Sequence, residues 1–551
     1  MQLVNSLHFN NLRGDLLGGL TAAIVALPLA LAFGVSSGAG AITGLYGAIF
    51  VGFFAALCGG TPSQITGPTG PMTVLMATVF TTLLADNPDA GRSMAFTVVM
   101  LGGIFQILFG VLQLGKYIVL IPYAVISGFM SGVGVIIIII QIGPFLGHPA
   151  SASVAQSIKK IPEFLINLNP AAVGLGILTI VILLFTPRKV TAIIPSPLLA
   201  LLTGTLISVF FLSDSNLILI GEIPTGLPKL HLPVFTFNQL QNMLVDGLVL
   251  GTLGSIDSLL TSLVADNITQ TNHDSDHELI GQGIGNIMSG LFGGLPGAGA
   301  TMRTVVNVHA GGKTPLSGIV HSIILLLILL WAGKLTEAIP QAILAGILLK
   351  VGIDIIDWGF LKRAHKLSLK AAGIMYSVLL LTVFVNLVTA VAVGIFIANL
   401  FTVKRLSDMQ INDIKAIVEP NDEIPLRDQE KQLLKECRGH LLLLHLGGPM
   451  SFGAAKALSR HMGMVQQYDV LILDLSDVSY LGITMSLALE NMVTEASRKH
   501  REVFIVGASG GVKTRLGKLK ISNFVPRENL VGTRIKALQQ TLTLLVERKK
   551  V

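Results

Sequence analysis

Residues 294 to 307 read GLPGAGATMRTVVN, and residues 61 to 80 read TPSQITGPTGPMTVLMATVF. Each stretch has an irregular lead rich in glycine and proline, then small or hydroxylated residues, then an apolar run too short to cross a bilayer alone. A helix that begins near Ala300, or near Thr69, leaves its first backbone N–H groups without intrahelical acceptors. Those groups sit at the positive end of the helix dipole, so each start is an anion site that needs no lysine. The pattern predicts a small anion held by Thr69 and Gly70 on one side and by Ala300 and Thr301 on the other.

Arg303 lies two residues past Thr301. A guanidinium at the bilayer centre costs at least ~2.5 kcal/mol on insertion scales, so it must meet water, a carboxylate, carbonyl groups or the substrate. Two roles are open to it, a structural one on backbone carbonyls and direct contact with the anion. Either adds positive potential. The matching negative charge is Asp257 in LVLGTLGSIDSLLTSLVAD, with Thr261 four residues later on the same helical face. A hard monovalent cation such as sodium takes oxygen ligands, and the Asp257 carboxylate, the Thr261 hydroxyl and freed carbonyls at Gly299, Ala300 and Thr301 supply that chemistry. Asp257 as the carrier of a transported proton, or as a simple counter-charge to Arg303, are the other readings. Lys350 and Asp354, spaced i, i+4, read as a helix-end ion pair, and DNITQTNHDSDHEL as a solvated loop followed by a helix start. No catalytic triad, zinc site or P-loop is present, so neither an enzyme nor a cofactor is expected.

The elements that must carry these groups follow from composition. The chain has 551 residues, 52% of them hydrophobic and 13% charged, far more apolar than a soluble protein of this length. Residues 1 to 402 hold 31 Asp, Glu, Lys and Arg, and the last 149 residues hold 38. A membrane domain over 1–402, a linker over 403–436 and a soluble domain over 437–551 are therefore expected. With a window of roughly 20 apolar residues per span, about twelve to fourteen segments precede residue 403. The clearest lie near 16–33, 41–58, 94–115, 119–142, 172–186, 197–212, 244–264, 315–332 and 371–401. The first hydrophobic segment lacks the features of a cleaved signal. Arg13, Arg188 with Lys189, KRAHKLSLK at 362–370 and Lys404 with Arg405 mark cytoplasmic loops, which puts both termini in the cytoplasm. The net charge of +7 lies mostly in the tail and its approach. Beside a membrane domain such a surface faces anionic lipid more simply than nucleic acid. Cys58 and Cys437 are the only cysteines, which excludes a disulfide framework and suits a cytosolic tail.

Gly/Pro-interrupted segments at matching places in two halves point to a transporter built from inverted repeats, with half-helices meeting at the midplane. Past residue 403 the pattern turns soluble α/β, with strands at 440–446, 469–481 and 502–508 and an amphipathic helix TMSLALENMVTEASRKH.

Several stretches together resemble the sulfate-permease (SulP) family of anion transporters. GDLLGGLTAAIVALPLALAFGVSSGAGAITGLYGA at 14–48 looks like the family's first two helices, ITGPTGPMT at 65–73 like its third, and HELIGQGIGNIMSGLFGGLPGAGATMRTVVN at 277–307 like its signature running into the tenth. The tail resembles the STAS domain that characteristically follows. The resemblance implies fourteen transmembrane segments in two inverted repeats of seven, a core domain moving against a gate domain, and dimers. It places Thr69 at the third-helix substrate site, Ala300 and Thr301 at the start of the tenth helix, Arg303 at a frequent arginine, and Asp257 where members carry an acid. Leu29 follows Pro28 where many members have glutamine, and Met302 precedes Arg303 where many have serine, so fewer side-chain donors face the anion. That favours a small monovalent anion, and the pattern is most similar to the family's cyanobacterial sodium-dependent bicarbonate transporters. It implies sodium-coupled bicarbonate symport across the plasma (inner) membrane, with a homodimer formed through the STAS domain. A proton-coupled sulfate or dicarboxylate transporter is the alternative. A non-transporting membrane-anchored signalling protein has no use for buried Asp257 and Arg303. In the tail, SYLGITMS carries Gly482, Ile483 and Thr484 where regulatory STAS domains carry a phospho-acceptor, so dimerisation rather than phosphorylation is expected there.

Overall fold

The computed structural model describes residues 9–118, 121–151, 153–191, 194–221, 228–385, 387–419, 424–455, 458 and 468–548. The chain divides into two compact units, Met1–Ala398 and Asn399–Val551.

Apart from one two-residue strand pair and an isolated bridge at Leu219, the regular structure described in the first unit is helical. Leu12–Ser36, Ala41–Cys58, Gly91–Val111, Tyr123–Phe145, Leu240–Thr269 and Thr389–Asn412 are long and apolar enough to cross a membrane. Val154–Ile166 and Pro170–Phe185 together reach that length but are bent by 113° at their junction. There Asn169 accepts from the amides of Ala171 and Ala172, and Pro170 opens the second helix, a proline position that matches the first helical turn. The apolar run at 371–401 is not one span: it forms Leu369–Phe384 and a second helix from Leu387.

Close packing near the half-helices depends on glycine. A Cβ added to Gly281 would stand 2.4 Å from the Gly59 Cα, and one added to Gly283 would stand 2.4 Å from the Gly103 carbonyl oxygen. Helix Ser275–Leu291 therefore lies directly against both Ala41–Cys58 and Gly91–Val111, as small residues allow between membrane helices. Asp274 caps this helix by accepting from the His277 amide at 3.0 Å, as DSDHEL suggested. Lys350 and Asp354 form the expected ion pair at 2.5 Å.

In the second unit, strands Ile414–Ile417, Leu441–Met450, Val470–Leu481, Glu502–Val506 and Leu530–Val531 form one sheet in that spatial order. The first pair is antiparallel and the rest are parallel. Continuous apolar runs such as LLLL at 441–444 suit a parallel sheet covered on both faces. Leu442, Leu444, Leu471 and Leu473 pack against helix Ile483–Arg498 on one side. Leu441, Leu443, Val470 and Ile472 meet Leu434, Leu538 and Leu545 on the other. The stretch expected as a linker, 403–436, carries regular structure. It supplies the edge strand Ile414–Ile417 and the helix Asp428–Glu436, because Ile414, Ile417 and Leu434 are buried in those two cores. High local charge hid three apolar anchors.

Candidate functional site

Both irregular leads end at a helix start where the sequence puts one. Thr69 is the N-cap of Gly70–Asp86, and Ala300 is the N-cap of Thr301–His309. Neither N-cap side chain accepts a bond from its own helix. The first intrahelical bonds are Thr73 N–H to the Thr69 carbonyl at 3.0 Å and Thr304 N–H to the Ala300 carbonyl at 2.9 Å. The N–H groups of Gly70 and Met72 in one helix, and of Thr301, Met302 and Arg303 in the other, have no acceptor within their helices. Pro71 carries no N–H at all.

The leads hold one another. Thr66 pairs with Gly299 and Gly67 with Ala298 in a short antiparallel bridge, and the Ala300 N–H donates to the Ile65 carbonyl at 2.9 Å. Backbone contact this close needs glycine, since a Cβ on Gly297 would lie 2.8 Å from the Gly67 carbonyl carbon. The Thr304 hydroxyl accepts from the Ile65 N–H at 3.0 Å, which adds a side-chain tie from the second helix to the first lead.

Helix Leu240–Thr269 touches both starts with one face. Thr69 donates to the Asp257 carboxylate at 3.1 Å. One turn on, the Thr261 hydroxyl donates to the Gly299 carbonyl at 2.9 Å and lies 2.8 Å from the Thr301 hydroxyl. An i, i+4 pair is separated by about 6 Å along the axis, so adjacent turns of one helix reach the two starts. The oxygens gathered along this face are those of Asp257, Thr69, Thr261, Thr301 and the Gly299 carbonyl. The Ala300 carbonyl is engaged by its own helix at Thr304. Ser258, between the two anchors, accepts from the Gly299 N–H at 3.0 Å.

Arg303 is 2% exposed, whereas its neighbour Met302 is 68% exposed. Its Nη2 donates to the Pro68 carbonyl, and no ion pair joins it to Asp257 among the described residues. Of the two roles open to it, the geometry shows the carbonyl brace. Thr301 and Met302 are the exposed residues at the second helix start, and Ala300 is buried.

The sequence reading missed the support beneath the first lead. Glu278, 2% exposed, accepts from the amides of Gly60 and Thr61 at 2.9 Å each and from the side-chain amides of Gln64 and Gln282 at 2.7 Å each. Gln282 also donates to Thr66 at 2.8 Å, inside the bridge itself. Four donors compensate a carboxylate that would otherwise be prohibitive to bury. Its i, i+4 spacing from Gln282 was the available signal, masked by the hydrophilic DSDHEL stretch to which it belongs. Asn286 does the same for the second lead, donating to the Gly297 carbonyl at 2.9 Å and accepting from the Gly297 N–H at 2.8 Å.

Residues 12–378 match the Sulfate permease family, and residues 432–534 match the STAS domain. The chain is 53% identical to the bicarbonate transporter BicA of Synechocystis sp. over 546 residues, 99% of this chain and 97% of that protein. Its fold matches the solved transmembrane domain of a cyanobacterium bicarbonate transporter BicA with a TM-score of 0.67 at 55% identity, covering 71% of this chain and all of that one. The overall structure of SLC26A9 aligns with a TM-score of 0.82 over 99% of this chain and 92% of that one, at 19% identity, a likeness of fold. With helices that span a membrane, a bridged pair of half-helices and a parallel-sheet tail, the chain belongs to the sulfate permease family as a multi-pass membrane protein carrying a C-terminal STAS domain.

Proposed function

We propose that the protein is a secondary transporter that carries bicarbonate together with sodium into the cytoplasm by alternating access. The observation that carries this reading is the bridged pair of helix starts, with Asp257 and Thr261 on one face reaching both. A small anion sits before the free N–H groups of Gly70, Met72, Thr301 and Met302, where the dipole ends favour negative charge. Sodium sits beside it on the oxygens of Asp257, Thr261, Thr301 and Gly299. Each ion offsets the other's charge in a medium of low dielectric, so the pair binds better than either alone. Apolar Leu29 and Met302 leave few side-chain donors, which suits a planar monovalent anion over a divalent tetrahedral one. The bicarbonate transporter at 53% identity over nearly the whole chain supports the same substrate.

The membrane is the plasma (inner) membrane with both termini cytoplasmic, supported by the basic loops at Arg13, at Arg188 with Lys189, and at 362–370. The STAS domain joins two copies. Deleting residues 403–551 is expected to yield monomers by light scattering in detergent, and a truncated dimer overturns that assignment.

Uptake of labelled bicarbonate into proteoliposomes tests the transport reading. An inward sodium gradient is expected to drive accumulation, and its removal to abolish it. Accumulation of sulfate or a dicarboxylate driven by a proton gradient, with no response to sodium, overturns the reading in favour of the proton-coupled alternative.

A further inference from the structure

Two buried side chains behind the bridge carry nitrogens that find no partner among the described residues. Arg303 Nη2 is taken by the Pro68 carbonyl, but Nη1 is unpaired. His321, on helix Pro315–Thr336, is fully buried, and neither Nδ1 nor Nε2 has a partner. Both stand against the same short strand. A Cβ on Gly67 would meet Arg303 Nη1 at 2.6 Å and the Ala48 Cα at 3.4 Å, and a Cβ on Gly52 would meet the Thr66 carbonyl oxygen at 3.1 Å and His321 Nδ1 at 3.4 Å. Ala48 and Gly52 lie one turn apart on helix Ala41–Cys58, hence on one face, and Thr66 and Gly67 are consecutive in the bridge. The guanidinium donor at Gly67 and the imidazole near the Thr66 carbonyl therefore flank the same two-residue strand.

A buried donor left unmade forfeits its full hydration, so two such groups flanking one short strand invite a common solution. A neutral imidazole offers one acceptor nitrogen and one donor, and a guanidinium offers only donors. We propose that His321 is a positioning residue that accepts a hydrogen bond from a single buried water to which Arg303 Nη1 donates, and so holds Arg303 on the Pro68 carbonyl. Pro68 immediately precedes Thr69, the cap of the first half-helix. His321 thereby sets the register of both helix starts through Arg303, although it touches neither ion. Helix Pro315–Thr336 becomes the element that locks the bridge from behind. The inference rests on the reading of the two starts as the ion site.

The test compares His321→Leu, which removes the acceptor, with His321→Gln, which restores one, in the full-length protein. His321→Leu is expected to raise the half-saturation concentration for bicarbonate about tenfold, the scale of one lost buried hydrogen bond, with little change in maximal rate. His321→Gln is expected to recover most of that loss. Combined with Arg303→Lys, the leucine variant should add almost nothing further, because residues acting through one contact are not additive. Additive losses, or a glutamine variant as impaired as leucine, overturn the proposal. Should the leucine variant fail to run as a single species by size-exclusion chromatography, His321→Phe takes its place in the same cycle. Hydrogen exchange separates this inference from the transport reading. The amides of residues 69, 70, 72 and 73 and of 300–304 should exchange faster in the leucine variant than in wild type, and unchanged exchange overturns the proposal. If wild type takes up no bicarbonate, the transport reading falls and the exchange result alone decides the role of His321.

Discussion

The two half-helices begin alike and differ in what they offer. Gly70–Asp86 has 17 residues and Thr301–His309 has 9, and each opens without a side-chain cap after a glycine-rich lead. In the first helix, Pro71 removes one N–H from the opening turn, and Thr69 gives its hydroxyl to Asp257. In the second, every residue of the opening turn keeps its N–H, Thr301 and Met302 are exposed, and Arg303 turns back to brace the first lead. The second start therefore offers more free N–H groups to the proposed anion, and the first is tied to Asp257, the proposed cation ligand. Arg303 belongs to the joint between them, which explains how its charge contributes potential while its side chain stays buried.

The largest expected effect is on the proposed cation side of that division. In Asp257→Ala, sodium-dependent bicarbonate uptake into proteoliposomes should fall to background, and uptake that still follows the sodium gradient would remove Asp257 from the cation site. Next comes the joint. Gly297→Ala places a Cβ 2.8 Å from the Gly67 backbone, which no rotamer can relieve. It should lower stability by ~1–3 kcal/mol, the usual scale of overpacking, read as a drop in the thermal midpoint in detergent. Thr261→Val keeps the shape but removes the hydroxyl that contacts the Gly299 carbonyl and the Thr301 hydroxyl. The half-saturation concentration for sodium should rise about tenfold, as expected for one buried hydrogen bond, with a smaller change for bicarbonate. The smallest effects come from exchanging the opening turns. Pro71→Ala should tighten bicarbonate and Met302→Pro should weaken it, each by about two- to fivefold, the scale of dipole-end contributions of 0.3–1 kcal/mol. Proline is tolerated in a first helical turn, so the pair isolates the N–H groups. Equal half-saturation constants in both variants would dissolve the contrast between the two starts.

Much of this was legible in local sequence. Thr69 and Ala300 stand at helix starts because Gly/Pro leads and following apolar runs are local signals, and Asp257 and Thr261 share a face because a helix imposes that spacing. The strands of the tail were visible in their apolar runs. Less was legible where charge and burial diverge. Glu278 sits in a hydrophilic stretch yet lies in the core, and Ile414, Ile417 and Leu434 anchor a segment whose charge reads as linker.

The sequence by itself determined that the chain is a membrane protein with a soluble α/β tail, that two short helices start after broken leads, and that an acid and an arginine are placed among apolar residues. These follow from composition and from spacings of a few residues. Only the tertiary structure decided which group meets which. Thr69 and Asp257 are 188 residues apart, Arg303 and Pro68 are 235 apart, and Glu278 and Gly60 are 218 apart. Partners across such separations are chosen by how helices pack through glycine contacts. A buried polar group takes whichever complementary group the packing brings within reach, and its local sequence does not name that group.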